Sequence, residues 1–329
     1  MPDSIIFSRK PVLVLGASGF IGTRVVAALS THARYQPIAA SRRPRHGGVA
    51  LDATNFAAMR DAIRGVDCVV NCIAGNNQAM VRSTQVLCDA ARGQPPRRIV
   101  HLSSMAVYGA AAGRVPEDHA AVAPVSAYGR AKIDCEDIIR KFGRDGGDAV
   151  ILRPTCVFGP GSAQWTTRIA RLLEARRAGD LGAAGDGCCN LAFIDDVVAG
   201  IINALDAPGV AGRTFNVSSS AELTWNEFLI RFGKAFGMTP IKRISPRVLK
   251  LETKFLAPAS RIAGAVLRGR APEAITPSLA ALWGQDIRID SSAAVAALAL
   301  PRTAPDAMIA AAVQWLRDGS APVSRLEFA

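Results

Sequence analysis

Tyr128 and Lys132, in the segment YGRAK, carry side chains suited to proton transfer. They stand four residues apart in a pattern that predicts a helix from Tyr128 to about Phe142, so they share one helix face. A free phenol has a pKa of about 10, and a nearby cation lowers that pKa towards neutrality. The spacing therefore indicates a general acid or base, although it also occurs on ordinary helix surfaces.

A glycine-rich turn separates an apolar run from a helical pattern near the start of the chain. The run Val12–Leu15 is long enough for one buried strand, and Gly16, Gly19 and Gly22 follow it. Without side chains at Gly16 and Gly19, backbone amides can reach a pyrophosphate, while Gly22 lets helix and strand pack closely. The helix N-terminus adds a favourable dipole for phosphate. The stretch predicts dinucleotide binding, the alternative being an ordinary turn.

The pattern Tyr35–Ala40 predicts the second strand. In a dinucleotide-binding fold, the end of this strand contacts the adenosine ribose. Ser41, Arg42 and Arg43 follow it. An acid there would bind the 2′-hydroxyl of NAD, whereas Ser and Arg fit the 2′-phosphate of NADP. The sequence favours NADP(H), with NAD(H) as the alternative. A solvated basic loop is the other interpretation.

Strand and helix patterns alternate through the first half of the chain, which predicts an α/β fold with a Rossmann-type, doubly wound parallel sheet. Asp52, at the tip of a short third strand, suits an adenine amino group. The further strand patterns are Asp67–Ala74, Arg98–Ser103, Asp148–Pro154 and Arg213–Val217, and the further helical patterns are Gln78–Arg92, Trp165–Arg177, the segment opened by Thr224 and Glu227, and Met308–Trp315.

We expect a dinucleotide-binding domain over residues 1–160, to which 190–220 return. A smaller, interleaved substrate-binding region would comprise 161–189 and the C-terminal residues 221–329. The chain has 329 residues, half of them hydrophobic, which suits one extended domain or two intimate ones.

The net charge of +12 is concentrated between residues 242 and 270, where Glu252 is the only acid. Nucleic acid is disfavoured as a partner because few aromatic residues accompany these charges. The stretch is either a solvated helical face or a patch facing phosphate or a membrane surface. No apolar run approaches the roughly 20 residues of a membrane span, so we expect no integral membrane segment.

The seven cysteines include no CxxC pair, and the first residues lack the apolar core of a signal peptide. We therefore expect a cytoplasmic protein with reduced thiols, and the sequence implies no metal.

Five motifs in order, GASGFIG, SSMAVYG, YGRAK, LRPTCVFGPG and FIDDVVAGIINAL, resemble the extended short-chain dehydrogenase/reductases, specifically the NAD-dependent epimerase/dehydratase family. They cover about the first 220 residues. The resemblance implies that Tyr128 is the catalytic proton donor or acceptor and that Lys132 holds the nicotinamide ribose and tunes Tyr128. It implies that Ser104 hydrogen-bonds the reacting oxygen. It also implies a homodimer through helices 78–92 and 128–142.

The resemblance and the glycine pattern together give a set of binding residues. The predicted cofactor-binding residues are Gly16, Ser18, Gly19, Phe20, Ile21, Gly22, Ser41, Arg42, Arg43, Asp52, Ala53, Ile73, Ala74, Gly75, Tyr128, Lys132, Pro154 and Thr155. The predicted substrate-binding residues are Ser104, Met105, Tyr128 and Cys156.

Two departures from the family bear on the substrate. Met105 and Ala106 follow Ser104 where the dehydratases carry an acidic pair, which disfavours dehydration. Sugar-nucleotide epimerases similar to this chain have Asn at the position of Cys156 and an Arg after the Gly-Asp-Gly turn, which residues 188–192 lack. A neutral thiol cannot replace a bidentate phosphate contact, so the phosphate is held elsewhere or is absent.

The leading hypothesis is an NAD(P)-dependent oxidoreductase acting at a secondary alcohol or ketone of a small-molecule substrate, with reductase or dehydrogenase activity favoured. One alternative is a nucleotide-sugar epimerase that retains NAD. Another is a non-catalytic, NADP-sensing regulator, a class that typically lacks the Tyr and Lys pair.

Overall fold

A seven-stranded parallel sheet forms the centre of the molecule. The computed structural model describes residues 9–44, 47–93, 98–119, 126–219, 223–256 and 273–319. The strands are β1 Lys10–Leu15, β2 Tyr35–Ser41, β3 Val49–Ala50, β4 Cys68–Asn71, β5 Arg98–Leu102, β6 Gly113–Val115, β7 Ala149–Pro154, β8 Cys156–Phe158, β9 Leu191–Phe193, β10 Thr214–Val217 and β11 Ile287–Ile289.

The strand order in the main sheet is β10-β7-β5-β4-β1-β2-β3. Since β1 has β2 on one side and β4 on the other, the order reverses at β1, which confirms the doubly wound fold. In such sheets, ligands bind beyond the carboxyl ends of the strands at this reversal. β10 pairs with β7, so the strand predicted over residues 213–217 belongs to the main sheet.

Helices cover both faces of the sheet. They are α1 Phe20–Thr31, α2 Phe56–Ala62, α3 Asn77–Arg92, α4 Ala127–Arg144, α5 Arg168–Glu174, α6 Ile194–Ala204, α7 Trp225–Ala235, α8 Pro246–Leu251, α9 Pro277–Trp283, α10 Ser292–Leu298 and α11 Pro305–Arg317. All residues of β4 and β7 are buried, as expected for strands enclosed on both faces.

Two predicted elements are shorter in the structure. The strand expected over 67–74 ends at Asn71, because the Asn71 side chain accepts a hydrogen bond from the Ile73 amide and turns the chain out of the sheet. The helix expected over 165–177 begins with a wide turn, Ala163–Thr167, and α5 ends at Glu174.

Thr224 and Glu227, predicted to open a helix, form a capping box at the start of α7. The Thr224 hydroxyl accepts from the Glu227 amide at 3.1 Å, and the Glu227 carboxylate accepts from the Thr224 amide at 2.8 Å. This pair satisfies two of the amides at the start of the helix.

Two small parallel sheets connect the later part of the chain to the main sheet. β8 pairs with β9, and β6 pairs with β11, so residues 287–289 lie beside the chain that follows β5. The predicted division into two domains stays a prediction. Among the described residues, no helix combines the length and the apolar character that crossing a membrane requires.

Candidate active site

The glycine turn between β1 and α1 leaves no room for side chains. Gly16 has a φ of +75°, and a Cβ there would lie 2.9 Å from the carbonyl oxygen of Cys72. A Cβ on Gly22 would lie 2.3 Å from the Gly16 oxygen, so close packing of helix and strand requires this glycine. Gly19 begins α1 without a side-chain cap, which leaves the first amides of the helix available to an anion.

Ser41 is the last residue of β2, Arg42 and Arg43 follow it, and Asp52 comes after the neighbouring strand β3. Arg42 and Arg43 are exposed, and Ser41 is partly buried. The Asp52 carboxylate accepts from the Thr54 amide at 3.0 Å and from its hydroxyl at 2.7 Å. These bonds, with a smaller contribution from Arg42, hold the Asp52 pKa below its ordinary value. A cationic segment therefore lies beside an ionised carboxylate at one corner of the sheet.

The remaining predicted cofactor positions also follow carboxyl ends of strands. Ile73, Ala74 and Gly75 come after β4, and Gly75 has a φ of +108°. Thr155 directly follows β7 and is 6% exposed, yet its hydroxyl oxygen has no hydrogen-bond partner among the described residues. A buried hydroxyl without a partner is costly, so its position is suited to a ligand.

Ser104 begins a short 3₁₀ turn, Met105–Tyr108, just beyond β5. Its hydroxyl oxygen accepts from the Ala106 amide at 3.2 Å, which orients the side chain. Met105 is partly buried beside it.

Tyr128 occupies the first turn of α4, where the Ser126 hydroxyl caps the helix by accepting from the Gly129 amide at 3.0 Å. The Tyr128 hydroxyl lies near enough to the Ser104 hydroxyl for Ser104 to lower its pKa, and Tyr128 is 37% exposed. Lys132, one turn along, places its Nζ 5.8 Å from the centroid of the Tyr128 ring. The structure thus brings Ser104, Tyr128 and Lys132 together beyond the carboxyl end of β5.

Burial raises the pKa of Tyr128, and the interaction with Ser104 offsets only part of that rise. The Lys132 ammonium donates to the Leu102 carbonyl at 2.5 Å. The lowering of the Tyr128 pKa by Lys132 together with a bound nicotinamide stays a prediction. Burial lowers the pKa of Lys132 to about 8. Burial also lowers the pKa of neighbouring His101 to about 3, which keeps that imidazole neutral.

Gly129 is a site feature that sequence reasoning missed. A Cβ at this position would lie 2.6 Å from the Ala106 carbonyl oxygen. The absence of a side chain therefore lets the start of α4 contact the turn that carries Ser104. The signal was present in YGRAK, but which backbone the glycine approaches is not encoded locally.

A buried polar network behind the site was also missed. Arg153 on β7 and Glu136 on α4 are 5% and 1% exposed and form a two-pronged ion pair, with bonds of 2.8 and 2.7 Å. Arg153 also donates to the Tyr108 hydroxyl at 2.7 Å, and that hydroxyl donates to the Asn216 side chain at 2.7 Å. The network joins α4, the Ser104 turn and two strands of the sheet.

Of the departures noted in the sequence, Cys156 and residues 191–192 lie in the small sheet of β8 and β9. Cys156 lies in β8 opposite Leu191 of β9 and is 5% exposed. Burial raises its thiol pKa, so the side chain is neutral. Gly187 is enclosed, since a Cβ there would lie 2.5 Å from the Trp283 carbonyl oxygen.

A doubly wound parallel sheet, a glycine turn at the point of reversal and a Ser, Tyr and Lys set beside it define a dinucleotide-dependent enzyme of the extended short-chain dehydrogenase/reductase type. The chain belongs to the NAD dependent epimerase/dehydratase family, whose model matches residues 12–218.

Relatives with different reactions match this chain. A UDP-glucose 4-epimerase of Vibrio cholerae is 24% identical over 245 residues, which are 67% of this chain and 74% of that protein. A dTDP-4-keto-6-deoxy-D-glucose reductase of Streptomyces niveus is 26% identical over 269 residues, 78% of this chain and 86% of that protein. The crystal structure of a UDP-glucuronic acid 4-epimerase from Bacillus cereus with NAD has a TM-score of 0.72 at 19% identity, covering 94% of this chain and 97% of that one.

Proposed function

We propose that this protein exchanges a hydride between a nicotinamide dinucleotide and a secondary alcohol or ketone, with Ser104, Tyr128 and Lys132 as its catalytic residues. The observation that carries the proposal is the contact between the Ser104 and Tyr128 side chains, with the Lys132 ammonium one helical turn away. Ser104 orients the substrate oxygen, Tyr128 exchanges a proton with it, and Lys132 donates hydrogen bonds to the ribose.

The residues present fit a dinucleotide. The glycine turn has a tight backbone packing that a Cβ at Gly16 or Gly22 would disrupt, and the Thr155 hydroxyl is buried without a partner among the described residues. The α1 amides would hold the pyrophosphate. When bound, the nicotinamide supplies or accepts the hydride.

Ser41, Arg42 and Arg43 support a preference for NADP(H) within this NAD-dependent family, because no carboxylate ends β2 to select the free ribose hydroxyl. The Arg42→Ala/Arg43→Ala variant should bind NADPH at least about tenfold more weakly and NADH almost unchanged, since each arginine would contact only the 2′-phosphate. Fluorescence titration measures both affinities, and Arg64→Ala is the control for an exposed arginine on the same half of the sheet. Tighter binding of NADH by the native chain would overturn the preference.

Net reduction of the substrate is the favoured outcome, because a cofactor that is released after the reaction, as proposed for NADP(H), suits net reduction. The epimerase alternative is supported by the similarity to the UDP-glucose 4-epimerase of Vibrio cholerae. The substrate would then be a nucleotide sugar. Mass spectrometry of the purified protein distinguishes the two, since NAD carried through purification indicates an epimerase and empty protein that binds NADPH indicates a reductase.

Tyr128→Phe tests the catalytic assignment. With no hydroxyl to exchange the proton, turnover of 4-keto sugar nucleotides or smaller ketones should fall on the order of a thousandfold, while dinucleotide binding persists. Absorbance at the nicotinamide band follows the reaction. Equal turnover by the variant would contradict the role of Tyr128. Dinucleotide binding without turnover of any substrate would favour the sensor alternative.

The homodimer expected through α3 and α4 remains part of the proposal. These two helices pack against one another along the sheet face. Light scattering of the purified chain gives the mass directly, and a monomer at micromolar concentration would contradict it.

A further inference from the structure

The helical segment from Pro246 to Leu256 exposes an unusual group of large apolar side chains. α8 continues into a wide turn over Glu252–Leu256. Four of the seven large hydrophobic residues exposed in the described part of the chain lie here, namely Val248 at 40%, Leu251 at 52%, Phe255 at 58% and Leu256 at 43%. Burial of these side chains against a partner would be favourable, so their clustering on the surface indicates a binding site.

Cations alternate with these apolar residues along the same segment. Arg247, Lys250 and Lys254 are exposed, and the Lys254 Nζ lies 5.6 Å from the centroid of the Phe255 ring. We call these seven residues the α8 face: Arg247, Val248, Lys250, Leu251, Lys254, Phe255 and Leu256.

The single acid of the segment is turned away from this face. Glu252 is 5% exposed and pairs with Arg177, whose Nε donates to the carboxylate at 2.7 Å. Leu249 is buried on the same side. The inward side thus anchors the segment to the body of the protein, and the charges that remain on the outward side are all positive.

The sequence on both sides of the segment adds further positive charge. Lys242 and Arg243 are exposed just before the segment. Arg261, Arg268 and Arg270 follow it in the sequence, with no acid between Lys254 and Pro272, and lie outside the described residues.

We propose that the α8 face docks on anionic lipid membranes. A lipid interface accepts apolar side chains at the level of the acyl boundary and cations at the level of the phosphates, which matches the alternation on this face. Each cation near an anionic bilayer adds to the attraction, and the short apolar row makes the binding reversible. The protein would lie on the membrane surface without crossing it.

The test is cosedimentation of the full chain with vesicles. Vesicles made of equal parts phosphatidylcholine and phosphatidylglycerol should retain the protein, and vesicles of phosphatidylcholine alone should not. Raising the salt concentration should release it, because the electrostatic part of the attraction is screened. Failure to bind the anionic vesicles, or equal binding to both kinds, overturns the proposal.

Two variants separate the apolar and charged contributions. Leu251→Glu/Phe255→Glu should abolish binding, and Arg247→Gln/Lys250→Gln/Lys254→Gln should weaken partitioning on the order of 100-fold. Phe56→Glu is the matched control, since Phe56 is 48% exposed at the start of α2, and it should bind as the native chain does. Unchanged binding by either α8-face variant would contradict the proposal.

A second copy of this chain bound to the α8 face would give a different result from a lipid membrane. If Leu251→Glu/Phe255→Glu converts an oligomer to a monomer by light scattering, the face is a contact between copies of this chain and the lipid proposal is overturned. Circular dichroism confirms that each variant is folded. Neither circular dichroism nor cosedimentation depends on the catalytic proposal, so the two proposals fail separately.

Discussion

At the residue scale, the burial of the Lys132 ammonium lowers the stability of the folded protein. The side chain is 2% exposed, and the Leu102 carbonyl accepts a hydrogen bond from its ammonium. The pKa falls from 10.5 to about 8, because burial penalises the charged form. The folded protein therefore binds this proton more weakly than the unfolded chain does.

We expect Lys132→Met to raise the free energy of unfolding by about 1–3 kcal/mol at pH 7 while it abolishes turnover. Because the folded pKa lies below the unfolded one, the lysine destabilises the fold fully below pH 8, and this penalty declines as the pH rises from 8 towards 10.5. Urea denaturation at pH 7 and pH 10 measures the change in the free energy of unfolding and its dependence on pH.

Lys141→Met provides the comparison, since Lys141 is exposed on the same helix. Its stability should change little at either pH. A loss of stability in Lys132→Met at pH 7 would show that the buried ammonium is a net stabiliser, against this account.

At the element scale, the position of α4 decides whether Tyr128 meets Ser104. Local sequence places Tyr128 and Lys132 on one helix face, but two tertiary contacts set the helix against the sheet. One is the approach of Gly129 to the Ala106 carbonyl, and the other is the buried pair of Glu136 and Arg153.

Gly129→Ala should lower kcat on the order of 100-fold, because a methyl group 2.6 Å from a carbonyl oxygen forces the helix end outward and misplaces Tyr128. Dinucleotide affinity should change much less, since the glycine turn is untouched. Gly143→Ala is the control: a Cβ at Gly143 meets nothing within 4 Å, and alanine favours the helix. Equal kcat in both variants would refute the positioning role.

Glu136→Gln should lower the free energy of unfolding by about 3–5 kcal/mol, since it leaves the buried Arg153 guanidinium without a counter-charge. Burial opposes ionisation of Glu136, but the bonds from Arg153 hold its pKa below 4.5. The native chain should therefore keep this stability above about pH 4.5 and lose it as the pH falls through the lowered pKa.

Asp137→Asn is the control for this pair. Asp137 is exposed and contacts Arg140 at 3.1 Å, so its loss should cost less than about 1 kcal/mol. Thermal and urea unfolding compare the two variants, and equal effects would show that the buried pair contributes no more than a surface one.

At the scale of the whole molecule, the C-terminal part of the chain supports the turn that carries Ser104. β11 pairs with β6, and Gln285 donates to the carbonyls of Gly109 and Ala111 at 3.0 and 2.9 Å. Residues far apart in sequence therefore form one wall behind the site.

Gln285→Ala should remove both hydrogen bonds and loosen the loop after Ser104. We expect KM for the substrate to rise several-fold with a smaller change in dinucleotide affinity, because the β1 and β4 ends are not involved. Steady-state kinetics and NADPH titration measure these two effects separately. Gln314→Ala is the control, because the Gln314 side chain donates locally to Asp318, the residue that caps the end of α11. A parallel loss of both affinities would indicate general unfolding instead.

The sequence by itself determined the seven strands of the main sheet in their chain order, the glycine turn and the pairing of Tyr128 with Lys132. These features depend on local spacing: apolar periodicity sets which face is buried, and a helix brings residues four apart together. Only the tertiary structure decided that Ser104 meets Tyr128, that Glu136 pairs with Arg153 and that Glu252 turns inward to Arg177. Periodicity does not encode which distant element covers a buried face, and the pKa of Lys132 depends on the atoms that exclude water from it.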